Sequence, residues 1–151
     1  MKKKKDVSLD QTLLKLRRTE LLLEITKKIA GLSNLSEILW TLIKFVSEEL
    51  NADRGTLFLN DNETNELYSR VAQGELTREI RILNNVGIAG AIFHSEKGEI
   101  IHSVYDDDRF NDQVDQETGY ETQNMICSPV KTVGGKTIGV IQILNKKKGR
   151  F

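Results

Sequence analysis

The sequence has 151 residues, of which 38% are hydrophobic and 29% charged, with equal numbers of basic and acidic side chains. This length and composition suit one globular domain with a real core and exclude a disordered chain. No apolar run approaches the eighteen or so residues of a membrane span, and the single cysteine, Cys127, excludes an intramolecular disulfide. We therefore predict a cytoplasmic protein with no membrane partner.

The charge is distributed unevenly along the chain. Residues 1–30 carry nine Lys or Arg against four Asp or Glu, whereas residues 31–151 carry thirteen against eighteen. Because nucleic-acid binding requires a basic stripe along the phosphates, an acidic body predicts no nucleic-acid partner. The lysine-rich runs at the two ends are predicted to be solvated tails.

Two amphipathic helices are predicted at the start of the chain. Apolar residues recur at helical spacing over residues 11–30, and Gly31 is expected to end that helix. The second helix is predicted over residues 35–50, with Asn34 as its N-cap. The first helix packs either against a partner chain or against its own domain, and its near-heptad positions are Leu14, Leu21, Ile25 and Lys28.

After residue 51 the pattern changes to short alternating segments separated by turn residues. Three strands, a helix at GIAGAIFHSEK, a fourth strand, an irregular acidic segment and a closing hairpin are predicted in that order. Pro129 lacks the N–H of a ladder position, so its strand is expected to be an edge or bulged there. The fold class is α+β, with a mostly antiparallel sheet of about six strands. The strand segments are DRGTLFLND, ELYSRVAQ, EIRIL, GEIIHSV, NMICSPVKTV and KTIGVIQILNK.

The sequence gives little support for a catalytic site or a metal site. His94 and His102 lack the neighbours of a triad, and Cys127 lies in an apolar strand where a buried structural thiol is expected. Residues 99–121 hold eight acidic side chains, but a calcium loop that begins at Asp106 would place Phe110 and Asn111 at its fifth and sixth positions. We predict no catalytic residue and no EF-hand, which leaves a looser divalent-ion site as the alternative.

The segment NNVGIAGAIF allows two interpretations. Its small residues, Gly87, Ala89, Gly90 and Ala91, bring the backbone of a helix start close to whatever lies above it. The unpaired N–H groups of a first helical turn bind an anion without any lysine or arginine. Alternatively, the small residues only permit tight packing of the helix on the sheet.

Four segments together resemble the GAF domain, in its cyclic-nucleotide-binding subgroup of phosphodiesterase and cyanobacterial adenylyl cyclase type. They are ADRGTLFL, NVGIAGAIF, DDRFNDQVDQETGYETQNMICSPV and IGVIQILNK. The resemblance predicts a GAF domain over residues 32–151, preceded by a basic tail and connector helix over residues 1–31. Asn145, Lys146 and Phe151 match the start of the family's signature. The chain ends before its acidic partner, so we expect a truncated C-terminus.

The resemblance also implies a ligand site. Backbone N–H groups would meet the cyclic phosphate, a segment would close over the ligand, and side chains of the sheet would reach the base. One carboxylate of the closing segment would accept from the ribose or an exocyclic amine, and two of its threonines would share a helical face. The implied residues are Arg54, Thr56, Gln73, Ile88, Ala89, Asn111, Asp115, Thr118, Thr122 and Gln142.

The resemblance at these residues implies a regulatory, non-catalytic domain that binds cAMP in preference to cGMP and needs no cofactor. Ala72 and Gln142 depart from the family and bear on the choice of base. The resemblance implies a homodimer through the N-terminal helices and a fused output domain such as a nucleotide cyclase, a phosphodiesterase or a kinase. The alternative is a dimerisation module with an empty or different pocket. A GAF-type methionine sulfoxide reductase is excluded because one cysteine cannot complete its disulfide cycle.

Overall fold

The computed structural model describes residues 2–74 and 79–151, with side chains from Leu9 onward. Helix α1 spans Lys2–Ile29 and α2 spans Leu35–Glu49. α1 begins earlier than predicted because the lysine-rich start, made of good helix formers, continues the helix. The solvation predicted for the first lysine side chains lies outside the described residues. Asn34 is the N-cap of α2, as predicted, because its Oδ1 accepts the N–H of Ser36 at 2.8 Å.

The chain divides into two compact units, one up to Leu42 and one from Ile43 to Phe151. The first contains α1 and the beginning of α2. The second contains the end of α2, the whole sheet and the candidate site described below.

A single six-stranded sheet forms the centre of the second unit. Its spatial order is β3-β2-β1-β6-β5-β4, and every neighbouring pair of strands is antiparallel. The predicted α+β class and antiparallel sheet are confirmed. The strands are β1 (Ala52–Asp61), β2 (Glu66–Ala72), β3 (Arg81–Leu83), β4 (Glu99–Ile101), β5 (Met125–Lys131) and β6 (Thr137–Lys146).

Pro129 occupies a position where its missing N–H does no harm. β5 pairs with β6 along its whole length, whereas β4 reaches only as far as Cys127. On the β4 side, Pro129 therefore lies at a free edge, as predicted.

Two further helices connect the strands. α3 spans Gly87–Ser95, and α4 spans Gln113–Thr118 within the acidic segment, after a short 3₁₀ helix at Val104–Asp106. Gly119 has a φ of 69° and ends α4 in the left-handed conformation. Thr118 and Thr122 therefore do not share a helical face. That expectation from their spacing is wrong, because the helix stops between them.

The core lies between α3 and the sheet. Ile92 of α3, Leu67, Val140 and Cys127 of the strands, and Val104 after β4 are all fully buried. Gly90 explains one part of the small-residue segment, since a Cβ there would lie 2.8 Å from the carbonyl carbon of Asn85. Tight packing of α3 on the preceding loop therefore requires glycine at this position.

In the part of the chain that the structure describes, none of the helices combines the length and the apolar character needed to cross a bilayer.

Candidate functional site

A small cavity of about 90 Å³ lies between the sheet, the start of α3 and residues 104–124, a segment that we call the strap. Strands β1 and β6 form its floor, and α4 lies in its outer wall. All ten residues of the predicted ligand site line this one cavity. The fold therefore brings together positions that are separated by up to 88 residues of sequence, from Arg54 to Gln142.

The start of α3 presents uncapped backbone N–H groups to the cavity. Its N-cap residue, Val86, makes no side-chain cap bond. The first hydrogen bond of the helix runs from the N–H of Gly90 to the carbonyl of Val86 at 3.1 Å. The earlier N–H groups, including those of Ile88 and Ala89, have no helical acceptor, while both residues are only 3% exposed. This arrangement can bind an anion without a basic side chain.

Gln73 is held in a fixed orientation at the end of β2. Its Oε1 accepts the backbone N–H of Gly55 at 2.8 Å and the hydroxyl of Ser47 at 3.0 Å. Because a backbone N–H can only donate, the oxygen of the Gln73 amide must face Gly55. The Nε2 of Gln73 is the amide atom left to donate to a ligand.

Thr56 and Gln142 are paired across β1 and β6 on the cavity floor. Thr56 is 7% exposed. The Nε2 of Gln142 lies 3.7 Å from the sulfur of Met125, a weak contact. Burial raises the pKa of the neighbouring Cys127 thiol to about 12, so this residue is no nucleophile at neutral pH. It is the buried structural cysteine that the sequence predicted.

Arg54 and Tyr120 close one side of the cavity. The guanidinium of Arg54 lies 3.9 Å from the centre of the Tyr120 ring. Its other neighbour is Gly74, where an added Cβ would lie 2.6 Å from an Arg54 nitrogen. The carboxylate of Asp53 also lies 3.6 Å from Arg54. This guanidinium supplies positive charge to a cavity that also contains Asp115.

Both carboxylate oxygens of Asp115 are engaged within the strap. One accepts the N–H of Thr122 at 2.6 Å and the other accepts the Thr122 hydroxyl at 2.8 Å. Asp115 therefore folds the end of α4 back onto Thr122, which is 3% exposed. Thr118 donates to the carbonyl of Val114 at 2.7 Å. Asn111, the residue before the N-cap Asp112, accepts the N–H of Gln113 at 3.0 Å.

The beginning of the strap is attached to the edge of the sheet by Arg109. Its guanidinium contacts Glu99 of β4 and Asp107 of the strap, each with a shortest distance of 2.8 Å. The hydrogen bonds from Arg109 lower the pKa of both carboxyls. Over the part of the chain that the structure describes, no group of three or more His, Cys, Asp or Glu side chains is arranged to hold a metal ion.

Similarity to known proteins identifies the family of this chain. The model of the GAF domain family matches residues 34–151. This chain belongs to the GAF domain family. It is 34% identical over 146 residues to the dual 3',5'-cyclic-AMP and -GMP phosphodiesterase 11 of Drosophila melanogaster, an alignment that covers 86% of this chain and 10% of that protein. It is 32% identical over 143 residues to the probable 3',5'-cyclic phosphodiesterase pde-5 of Caenorhabditis elegans, which covers 86% of this chain and 20% of that protein.

Solved structures show the same fold. The GAF domain of a phosphoenolpyruvate-protein phosphotransferase from Coxiella burnetii superposes with a TM-score of 0.78 at 20% identity, over 88% of this chain and 80% of that one. The family predicted from the sequence is confirmed. The chain spans only 10% and 20% of the length of these two phosphodiesterases.

Asn145 is the GAF signature residue whose structural role the sequence did not reveal. It follows the last fully paired positions of β6 with a φ of 55°. Its Oδ1 accepts the N–H groups of Gln123 and Asn124 at 2.7 and 3.3 Å. Its Nδ2 donates to the hydroxyl of Tyr120 at 2.9 Å and to the carbonyl of Glu121 at 2.8 Å. One side chain thus holds the whole end of the strap.

Lys146 of the GAF signature contacts the end of α2. Its Nζ donates to the carbonyl of Leu50, and its ammonium lies 5.8 Å from the centre of the Phe151 ring. A cation at the C-terminal end of a helix is stabilising, because the last carbonyl groups lack helical partners.

The sequence also missed Tyr120 as a wall residue of the GAF cavity. Apolar wall positions at Phe58, Phe110 and Met125 were not predicted either. An aromatic residue shortly after a left-handed glycine was the available signal, but only the tertiary structure places Tyr120 beside Arg54. His94 and His102 are exposed and lie outside the cavity.

Proposed function

We propose that this GAF domain is a regulatory sensor that binds a cyclic nucleotide in its cavity, with cAMP preferred to cGMP. The observation that carries the proposal is the uncapped start of α3 at the wall of a cavity that also holds polar sheet residues. The phosphate of a cyclic nucleotide carries a single negative charge, which one helix N-terminus can stabilise. The likeness to two cyclic-nucleotide phosphodiesterases supports the same ligand class.

Two side chains support the preference for adenine. The fixed amide of Gln73 offers a donor, which suits a ring nitrogen with a free lone pair. The N1 atom of adenine is such an acceptor, whereas N1 of guanine carries a hydrogen. Arg54 lines the same wall and resembles the arginine of the cAMP-binding cyclase domains. Asp115 contributes by positioning Thr122, since both of its oxygens are already engaged.

Calorimetry with cAMP and cGMP tests this proposal, with 5'-AMP as the control for an acyclic phosphate. We expect cAMP to bind more tightly than cGMP, and 5'-AMP to bind weakly. Thr56→Val preserves the shape of the cavity floor and removes one hydroxyl, so we expect about a tenfold loss of cAMP affinity. Thr137→Val is the matched control, because Thr137 is also buried on a strand but lies outside the cavity. If neither cyclic nucleotide gives a measurable heat of binding at high micromolar concentration, the proposal is wrong.

We also propose that the domain acts on a fused output domain, such as a cyclase, a phosphodiesterase or a kinase, through its flanking helices. The much greater length of the phosphodiesterase relatives supports a fusion. The single buried thiol suits a reducing cytoplasm.

Self-association through α1 is the second part of this proposal. Leu9, Leu16 and Leu23 follow one another at intervals of seven residues and are 58%, 54% and 54% exposed. The row differs from the one predicted, in which Leu21 and Ile25 are half-buried. Light scattering should show a dimer that Leu16→Glu converts to a monomer. A monomeric wild-type protein at high micromolar concentration would contradict the idea.

A further inference from the structure

The volume of the cavity is smaller than that of sites which usually hold a ligand of the proposed class. Its volume is about 90 Å³, whereas sites for small molecules usually enclose about 300–1,000 Å³. A cyclic nucleotide therefore enters only if part of the wall moves. The following inference rests on the proposed function in this respect.

The floor and the inner wall are fixed. β1 and β6 are paired over seven positions, and Ile88, Ala89 and Ile92 anchor α3 in the core. Movement of either would break the sheet or expose the core, so the opening must lie elsewhere.

Among the described wall elements, α4 is held weakly, and its bonds to the rest of the strap include those of Asp115 with Thr122. None of its residues is buried. Two of its side-chain hydrogen bonds, from Gln113 to Glu117 and from Gln116 to Asp112, stay within the helix and its N-cap residue. Elements with little buried surface and mostly local bonds open at low free energy. Within the described part of the wall, α4 is therefore the element that we infer to move.

The strap is anchored on both sides of α4. On the N-terminal side, Arg109 binds Glu99 of the sheet edge. On the C-terminal side, the Tyr120 hydroxyl donates to Asp53 of β1 at 2.8 Å and accepts from Asn145 of β6 at 2.9 Å. Burial, followed by the contact with Asp53, raises the pKa of Tyr120, so the hydroxyl stays a donor at neutral pH.

We propose that Tyr120 is the latch of the cavity: its hydroxyl bonds to Asp53 and Asn145 hold α4 closed, and their rupture admits the ligand. The ring also covers the guanidinium of Arg54, so release of Tyr120 exposes this positive group to an incoming anion. Tyr120 is a positioning residue in this scheme, because it controls access to groups that contact the ligand.

Tyr120→Phe isolates the hydroxyl, because it keeps the ring over Arg54 and removes the two bonds. Tyr68→Phe is the matched control, since Tyr68 lies on β2 outside the cavity. Hydrogen exchange of the ligand-free protein should show the amides of residues 113–119 exchanging about fivefold faster in Tyr120→Phe, with wild-type rates in the control. Amides of β1 and β6 should be unchanged, which separates latch release from general unfolding.

Ligand kinetics provide the second arm. In stopped-flow measurements with a fluorescent cAMP analogue, Tyr120→Phe should raise the association and dissociation rate constants together, each about fivefold, and change Kd by less than twofold. Unchanged exchange at residues 113–119, or unchanged rate constants in a variant that binds, would overturn the proposal. If the wild-type protein binds neither cAMP nor cGMP, the proposed function fails, and the exchange arm still decides whether Tyr120 is a latch.

Discussion

Replacement of Asn145 tests how much of the strap depends on one side chain. Asn145→Gly removes four hydrogen bonds, to Gln123, Asn124, Tyr120 and Glu121. It keeps a backbone that tolerates the φ of 55°. A net hydrogen bond contributes about 0.5–1.5 kcal/mol, and partners near the surface regain water, so the lower limit of about 0.5 kcal/mol applies to each of the four bonds. The expected loss is about 2 kcal/mol, or about 4–8 °C in Tm for a chain of this size.

Two further substitutions divide this loss into its parts. Asn145→Ala adds the left-handed strain of a residue with a Cβ, about 1 kcal/mol more. Asn145→Asp keeps an acceptor for Gln123 and Asn124 but loses the donor to Tyr120 and Glu121, so it should fall between wild type and Asn145→Gly.

Thermal and urea unfolding followed by circular dichroism measure these effects. Asn65→Gly is the control, because Asn65 has a φ of 57° in the β1–β2 turn and its side chain makes no bond to the strap. It should change Tm by less than about 2 °C. If Asn145→Gly loses no more stability than Asn65→Gly, Asn145 does not hold the strap and the reasoning is wrong.

Three other predictions follow from the geometry. The thiol of Cys127, with its pKa raised to about 12 by burial, should resist iodoacetamide at pH 8 and react only on unfolding; rapid labelling of the native protein would contradict this. Arg109 lowers the pKa of Glu99 below its ordinary 4.5. Their bond should therefore stabilise the strap above pH 4.5, and this stabilisation should be lost as the pH falls through the lowered pKa. Glu99→Gln should reduce this pH dependence in acid unfolding curves. Gly139→Ala should cost about 3 kcal/mol or more, because its Cβ would lie 2.0 Å from a carbonyl oxygen of β1, whereas Gly134→Ala has room and should fold normally.

Local chemistry predicted the elements well. Short apolar runs bounded by turn residues specify β1 and β6, and the Asn34 cap fixes the start of α2, because each depends on neighbours within a few residues. The predicted start of α1 is too late, because a run of lysines is typical of a solvated tail but lysine is also a good helix former. The prediction that Thr118 and Thr122 share a helical face is wrong, because Gly119 ends the helix between them.

The sequence alone determined the fold class, the order of the strands along the chain and, through the resemblance, ten residues that the fold brings to one cavity. Only the tertiary structure decided what those residues do there. In the folded protein, a hydrogen bond from the Gly55 N–H fixes the orientation of the Gln73 amide. Both oxygens of Asp115 accept hydrogen bonds from Thr122, and Tyr120 contacts Asp53 and Arg54. The physical reason is that a propensity or a capping signal acts over one or two turns of chain. A hydrogen bond across 67 residues, such as that from Tyr120 to Asp53, exists only once the sheet has brought its partners together.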